Sequence, residues 1–160
     1  KLKQGEEIRG SSKSSISIGL HDGTYCAVQK CCYEELNENE FIFRLESRGQ
    51  ITETDLLKRA CLIIKKKLEL IKDKFADKVI NGTDIELILQ NEDHTIGNLI
   101  TSYLQNNSNV LYAGYKIDHP LQRQVDLVLK TNGSKKLKTI FLETLDLIMN
   151  DFTKFEKKIK

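Results

Sequence analysis

The side chains best equipped for chemistry are three histidines (His21, His94, His119), four cysteines (Cys26, Cys31, Cys32, Cys61) and the adjacent carboxylates Glu92 and Asp93. A metal or a nucleophilic centre needs three or four such groups gathered in space. The histidines fall in different predicted elements, and the cysteine spacing matches neither paired C-x-x-C knuckles nor a regular disulfide framework. Four reduced thiols packed as small hydrophobes are the better reading. The sequence has no G-x-x-x-x-G-K-[ST] loop, no G-x-G-x-x-G after a strand and no H-E-x-x-H. Joining nucleotides would require a carboxylate cluster able to hold magnesium, and Glu92-Asp93 alone is better explained by helix capping. No catalytic residue, metal ligand or cofactor is therefore expected in this chain.

What positions these residues follows from pattern. The 160 residues are 39% apolar and 30% charged, with 25 basic against 23 acidic side chains, the balance of an ordinary folded protein and not of a disordered one. No apolar run approaches the ~20 residues of a membrane span. Short strands are expected at Ser15 to Leu20, Ala27 to Tyr33 and Phe41 to Ser47. Thr52 then caps a helix whose apolar residues recur at helical spacing from Leu56 to Val79, over about seven turns. Gly82 breaks it. Next come a strand at Asp84 to Leu89, a helix at His94 to Asn106 capped by Asp93, strands at Val110 to Lys116 and Gln124 to Lys130, and a long amphipathic helix from Leu137 to Ile159. The fold class is α+β, a mixed β-sheet packed with long amphipathic helices. Two such helices carry more apolar stripe than a three- or four-stranded sheet covers, so helix-on-helix contact, internal or with a partner, is implied.

Two glycines mark close packing. Gly97 stands in the first turns of a helix, where it costs about 1 kcal/mol relative to Ala. Gly114, after Ala113, interrupts a strand in the same way. Either an interface or packing within the domain would explain them. From Lys58 to Lys78 the long helix carries eight Lys or Arg against three acids. A solvated helix face accounts for these, and a nucleic-acid-binding module built on that helix is the alternative. A small enzyme around His94 and His119 is a third reading.

The segments Asn91-Glu92-Asp93-His94-Thr95-Ile96-Gly97-Asn98-Leu99, Val110 to Lys116 with Ala113-Gly114-Tyr115, and Asp118-His119-Pro120-Leu121 together resemble the L-type small subunit of archaeal and eukaryotic multisubunit RNA polymerases. The likeness covers about residues 83 to 158. The first half, through His21 to Glu34 and Phe41 to Gly49 with the helix from Thr52, resembles the end of the partner D-type, alpha-like subunit. One chain carrying both is similar to the fused D/L (third plus eleventh) subunit of large cytoplasmic DNA viruses. The resemblance implies an alpha/L-type dimerisation fold, with residues 1–80 as the C-terminal part of a D-type half, 81–160 as the L-type half, and Lys78 to Thr83 as the linker. It implies that the chain is the C-terminal part of a longer fusion. It also implies a non-catalytic assembly role, with the large catalytic subunits and other small assembly subunits as partners and DNA met only indirectly. Magnesium would belong to the large subunits, and the location would be the host cytoplasm or the virion. The residues carrying the interface would be Asp93, His94, Thr95, Gly97, Asn98, Ala113, Gly114, Tyr115, His119 and Pro120.

The thiol reading has a direct check. All four cysteines should react with a thiol reagent on unfolding without prior reduction, and a persistent disulfide would overturn the reading.

Overall fold

A computed structural model describes residues 2–80, 82–119 and 121–159. The chain divides into two compact units, Lys1–Leu56 and Leu57–Lys160. Residue 81, in the expected linker, and Pro120 lie outside the described residues.

In the first unit a 3-10 turn, Gly23–Tyr25, is held by Asp22, whose carboxylate accepts from the Thr24 amide at 2.8 Å. Strands β1 (Val28–Asn37) and β2 (Glu40–Ser47) form an antiparallel hairpin. Its register sets Tyr33 opposite Phe43 and Cys31 opposite Leu45. The Tyr33 ring lies 5.9 Å from that of Phe43 and 6.3 Å from that of Phe41. The strand expected at Ser15 to Leu20 does not form. Its serines alternate with apolar residues, but the segment closes on itself through a turn, the His21 amide donating to the Ile18 carbonyl at 2.9 Å. Alternation without a neighbouring strand to pair with is not enough.

Helix α1 (Glu53–Ala76) begins where Thr52 was expected to cap it: the Thr52 hydroxyl accepts from the Asp55 amide at 3.1 Å. The division between the units falls inside its first turn, so almost all of α1 packs with the elements that follow it. Those are β3 (Asp84–Gln90), α2 (His94–Gln105), β4 (Val110–Lys116), β5 (Gln124–Thr131) and α3 (Leu137–Lys158). The sheet order is β3-β5-β4, and every bonded pair is antiparallel. The mixed sheet expected from sequence is therefore an antiparallel one, with β3 and β4 parallel only across the intervening β5. The reason is connectivity. Helix α2 carries the chain over from β3 to β4, and the short loop after β4 then returns β5 antiparallel between them.

One face of the sheet is covered by the helices. Leu68, Ile71 and Phe75 of α1 join Ile96, Ile100 and Leu104 of α2, Leu127 and Leu129 of β5, and Ile140, Phe141, Leu145 and Ile148 of α3 in one buried cluster. The expected helix-on-helix contact is between α1 and α3. The Phe75 and Phe141 rings lie 4.3 Å apart. Side-chain bridges flank them: Lys65 to Glu156 at 2.5 Å, Lys72 to Asp146, and Lys138 Nζ donating to the carbonyls of Ala76 (2.5 Å) and Lys78 (3.0 Å). Early residues of α1 meet late residues of α3, so the helices run antiparallel. Lys138 caps the C-terminal carbonyls of α1, where a cation is favoured.

Helix α2 starts as the sequence requires, with Asp93 as N-cap accepting from the Thr95 amide at 3.0 Å. Burial opposes ionisation of Asp93, but the Thr95 hydrogen bonds and the charges of Lys67 and Arg123 outweigh it and hold the carboxyl below its usual range. A lowered folded-state pKa contributes stability that is present above the unfolded value of about 3.9 and lost as pH falls through the folded value. Asp93→Ala should therefore cost about 1 kcal/mol at neutral pH. Its deficit against the parent, read from denaturant midpoints, should shrink across an acid series, and a deficit independent of pH would refute the ionised cap.

Candidate interface motif

The turn after β3 gathers the residues singled out by sequence. Asn91 adopts a left-handed conformation, with φ of 64°, and its amide donates to the Arg123 carbonyl at 2.7 Å. Asparagine tolerates that region better than most residues. The chain then reverses into α2 with Glu92 and Asp93 pointing to different partners. Glu92 is buried and pairs with Lys67 of α1 at 2.7 Å, while Asp93 caps α2 and lies 3.7 Å from Arg123. Neighbouring carboxylates sent to separate cations are not a metal cradle. Among the described residues no three His, Cys, Asp or Glu side chains converge as a metal ion would need.

Gly97 is packed too closely for any side chain. A Cβ there would lie 2.7 Å from Cδ2 of Tyr115, so the ring of β4 occupies the space that any side chain on this turn of α2 would take. The close approach anticipated from the glycine is thus met inside the unit. The Tyr115 hydroxyl reaches His94 Nδ1 at 3.1 Å, and the two rings meet edge to face with centroids 5.8 Å apart. Ala113 is buried, and its carbonyl accepts from Gln105 Nε2 at 2.8 Å. At Gly114 a Cβ would lie 2.6 Å from the Tyr112 hydroxyl, so this glycine makes room for a neighbouring tyrosine on its own strand.

The remaining residues of the set divide between turn-making and exposure. Asn98 is exposed; its side-chain oxygen accepts from Ser102 at 3.2 Å, and its carbonyl accepts from Thr101 at 3.1 Å. His119 shapes the loop after β4, with Nδ1 accepting from the Leu121 amide at 3.1 Å. His94 and His119 share no hydrogen bond or ring contact among the described residues, and each Nδ1 has a structural partner. The lysine-rich helix is likewise partly committed: Lys65, Lys67 and Lys72 are paired to Glu156, Glu92 and Asp146. A phosphate-binding face would need those cations available.

Sequence reasoning missed the Lys67–Glu92 pair and the role of Tyr115. Neither has a local sequence pattern, because the partners are 25 and 18 positions apart in the chain. The excess of lysine on α1 and the paired acids at its far contacts are the only hints.

Residues 84–158 match the RNA polymerase Rpb3/Rpb11 dimerisation domain. That span takes in the whole sheet, α2 and α3. A DNA-directed RNA polymerase subunit of Acanthamoeba polyphaga mimivirus is 32% identical over 124 residues, 75% of this chain and 35% of the viral protein. This match is longer than the domain alone, so it takes in part of the chain before β3. The chain spans about a third of that relative's length. The DNA-directed RNA polymerase II subunit rpb11 of Dictyostelium discoideum is 30% identical over 91 residues, 57% of this chain and 72% of that protein. The DNA-directed RNA polymerase subunit Rpo11 of Sulfurisphaera tokodaii is 34% identical over 76 residues, 48% of this chain and 82% of that protein. Since these last two relatives are matched over 72% and 82% of their own length, the chain belongs to the RNA polymerase Rpb3/Rpb11 dimerisation family.

Proposed function

We propose that the chain is a non-catalytic assembly subunit of a multisubunit DNA-dependent RNA polymerase. In this reading residues 1–80 supply the end of a D-type half and residues 81–160 an L-type half, and their intrachain dimer is the platform on which the two large catalytic subunits assemble. The observation that carries it is the family match lying on a complete helix-covered sheet, with α1, from the other proposed half, seated against α3 of the same unit. Joining the halves through a short linker makes their encounter intramolecular, with an effective concentration in the millimolar range. The motif from Asp93 to Asn98, with Ala113 to Tyr115 and the loop at His119 and Pro120, would present the surface that the other subunits meet.

Chemistry would reside in the large subunits, which would hold the magnesium. DNA would be contacted through the complex and not by this chain alone. No described helix is long and apolar enough to cross a membrane, and the viral relative supports a place in infected-cell cytoplasm and virions.

Tagged chain recovered from cells making the whole polymerase should bring both large subunits with it. Recovery of the chain alone, with an N-terminally extended form behaving the same way, would sink the assembly reading.

Gly97→Leu should push Tyr115 from its seat, lower stability by about 1–3 kcal/mol and reduce co-recovery of the large subunits. Full assembly by a folded Gly97→Leu chain would show that this turn of α2 plays no part in the interface.

A further inference from the structure

The three-stranded sheet has two edges, and they are finished differently. Strand β4 carries a register shift between Val110 and Tyr112, and the Ala113 carbonyl is taken by the Gln105 side chain. An irregularity and a side chain laid across the ladder are common ways to keep a further strand from adding. Strand β3 has neither, pairing with β5 in unbroken register from Asp84 to Gln90. The Thr131 amide donates to the Thr83 carbonyl and the Asn91 amide to the Arg123 carbonyl, both at 2.7 Å. Because bonded and non-bonded pairs alternate, these two bonds turn the odd-numbered residues of β3 toward β5. The N–H and C=O groups of Asp84, Glu86, Ile88 and Gln90 therefore face outward, and among the described residues no backbone bond from another element reaches them.

A cleft of about 470 Å³ runs beside that edge. Leu87 to Glu92 line it consecutively, so its wall is the edge of the strand and not one of its faces. The opposite wall is α1, with Leu70, Ile71 and Phe75 as its apolar floor and Lys67, Lys74 and Lys78 along it. Leu70 and Ile88 are 61% and 55% exposed, large apolar side chains left open on both sides of the cleft. Lys67 is paired to Glu92, whereas Lys74 and Lys78, among the described residues, have no carboxylate within ion-pair distance.

We propose that the β3 edge and this groove are a docking site for an extended segment of a partner protein, which adds as a fourth strand beside β3. The outward backbone groups select a strand, the apolar floor selects apolar side chains at alternate positions, and Lys74 and Lys78 select acidic residues between or beside them. The outward N–H and C=O groups of β3 form a ladder that a peptide strand can pair and a sugar-phosphate backbone cannot, which favours a protein segment over the phosphates that the lysines alone would attract. The inference rests on the edge and the groove and needs nothing from the assembly role.

The test uses the full chain and an end-blocked peptide of alternating valine and threonine flanked by glutamates, with binding read by fluorescence polarisation and amide hydrogen exchange. The glutamate peptide should bind better than its lysine-flanked counterpart and should slow exchange at the Glu86 and Ile88 amides. Methylating the peptide nitrogens that face the chain should weaken binding about tenfold, the loss expected from one or two backbone hydrogen bonds. Ile88→Pro, which removes one outward N–H from an edge strand, should do the same while the chain stays folded. Lys74→Glu with Lys78→Glu should reverse the preference between the peptides. Equal binding of both peptides, protection at β4 instead of β3, indifference to nitrogen methylation, or no binding at all would each overturn the proposal. Should Ile88→Pro fail to fold, the methylated peptide still decides, because it leaves the chain untouched.

Discussion

The second unit depends on the seating of α1 against α3. Sheet and helices from Asp84 onward leave the apolar stripe of α3 only partly covered, and the stripe of α1 completes the cover through Leu68, Ile71 and Phe75. The Phe75–Phe141 contact lies near the end of α1 and the start of α3, with Lys65 and Lys72 bridging on one side of it and Lys138 on the other. Its stabilisation comes mainly from apolar burial, since ion pairs that keep access to water contribute little each. The lysines set orientation more than strength. Lys65 pairs with Glu156 and Lys138 with the end of α1, so sliding α1 by one turn would break both while leaving apolar contact available.

The same seating explains the turn between β3 and α2. Lys67 extends from α1 to Glu92, a buried carboxylate that would be costly without a cation beside it. Asp93, one residue on, satisfies the free amides of α2 and draws Arg123 from the strand-joining loop. Three separate parts of the chain are thereby tied to two adjacent residues. The left-handed Asn91 places those residues so that they diverge.

Much of this was legible in the sequence, for reasons that differ by element. Strands β3, β4 and β5 and all three helices carry periodicity that matches what they bury, and Thr52 and Asp93 are caps whose chemistry is local. The failed strand at Ser15 to Leu20 shows the limit: alternation states what a segment could bury, not whether a neighbour exists to pair with it. The order of the strands had the same limit, because the placement of β5 between β3 and β4 is a property of connections and not of any one strand. The residues of the candidate motif were found by type, whereas their partners were not. Gly97 announced a close approach, but nothing near it in sequence pointed to Tyr115 as the group that comes close.

That outcome changes what the motif can offer a partner. Gly97 is filled by Tyr115, Gly114 by Tyr112, Asp93 by the Thr95 amide and Ala113 by Gln105. These residues shape the end of α2 and its contact with β4, and their side chains or backbone are already in use. The side chains left facing outward on the first turns of α2 are His94, Thr95 and Asn98, all exposed. Recognition at this turn must be read from those three groups on a backbone held by the others. The motif therefore divides two duties: Asp93 and Gly97, with Ala113 to Tyr115 of β4, fix the geometry, and the exposed His94, Thr95 and Asn98 present the surface another subunit can meet. A substitution at an inward position disturbs both duties, whereas one at an outward position can separate them.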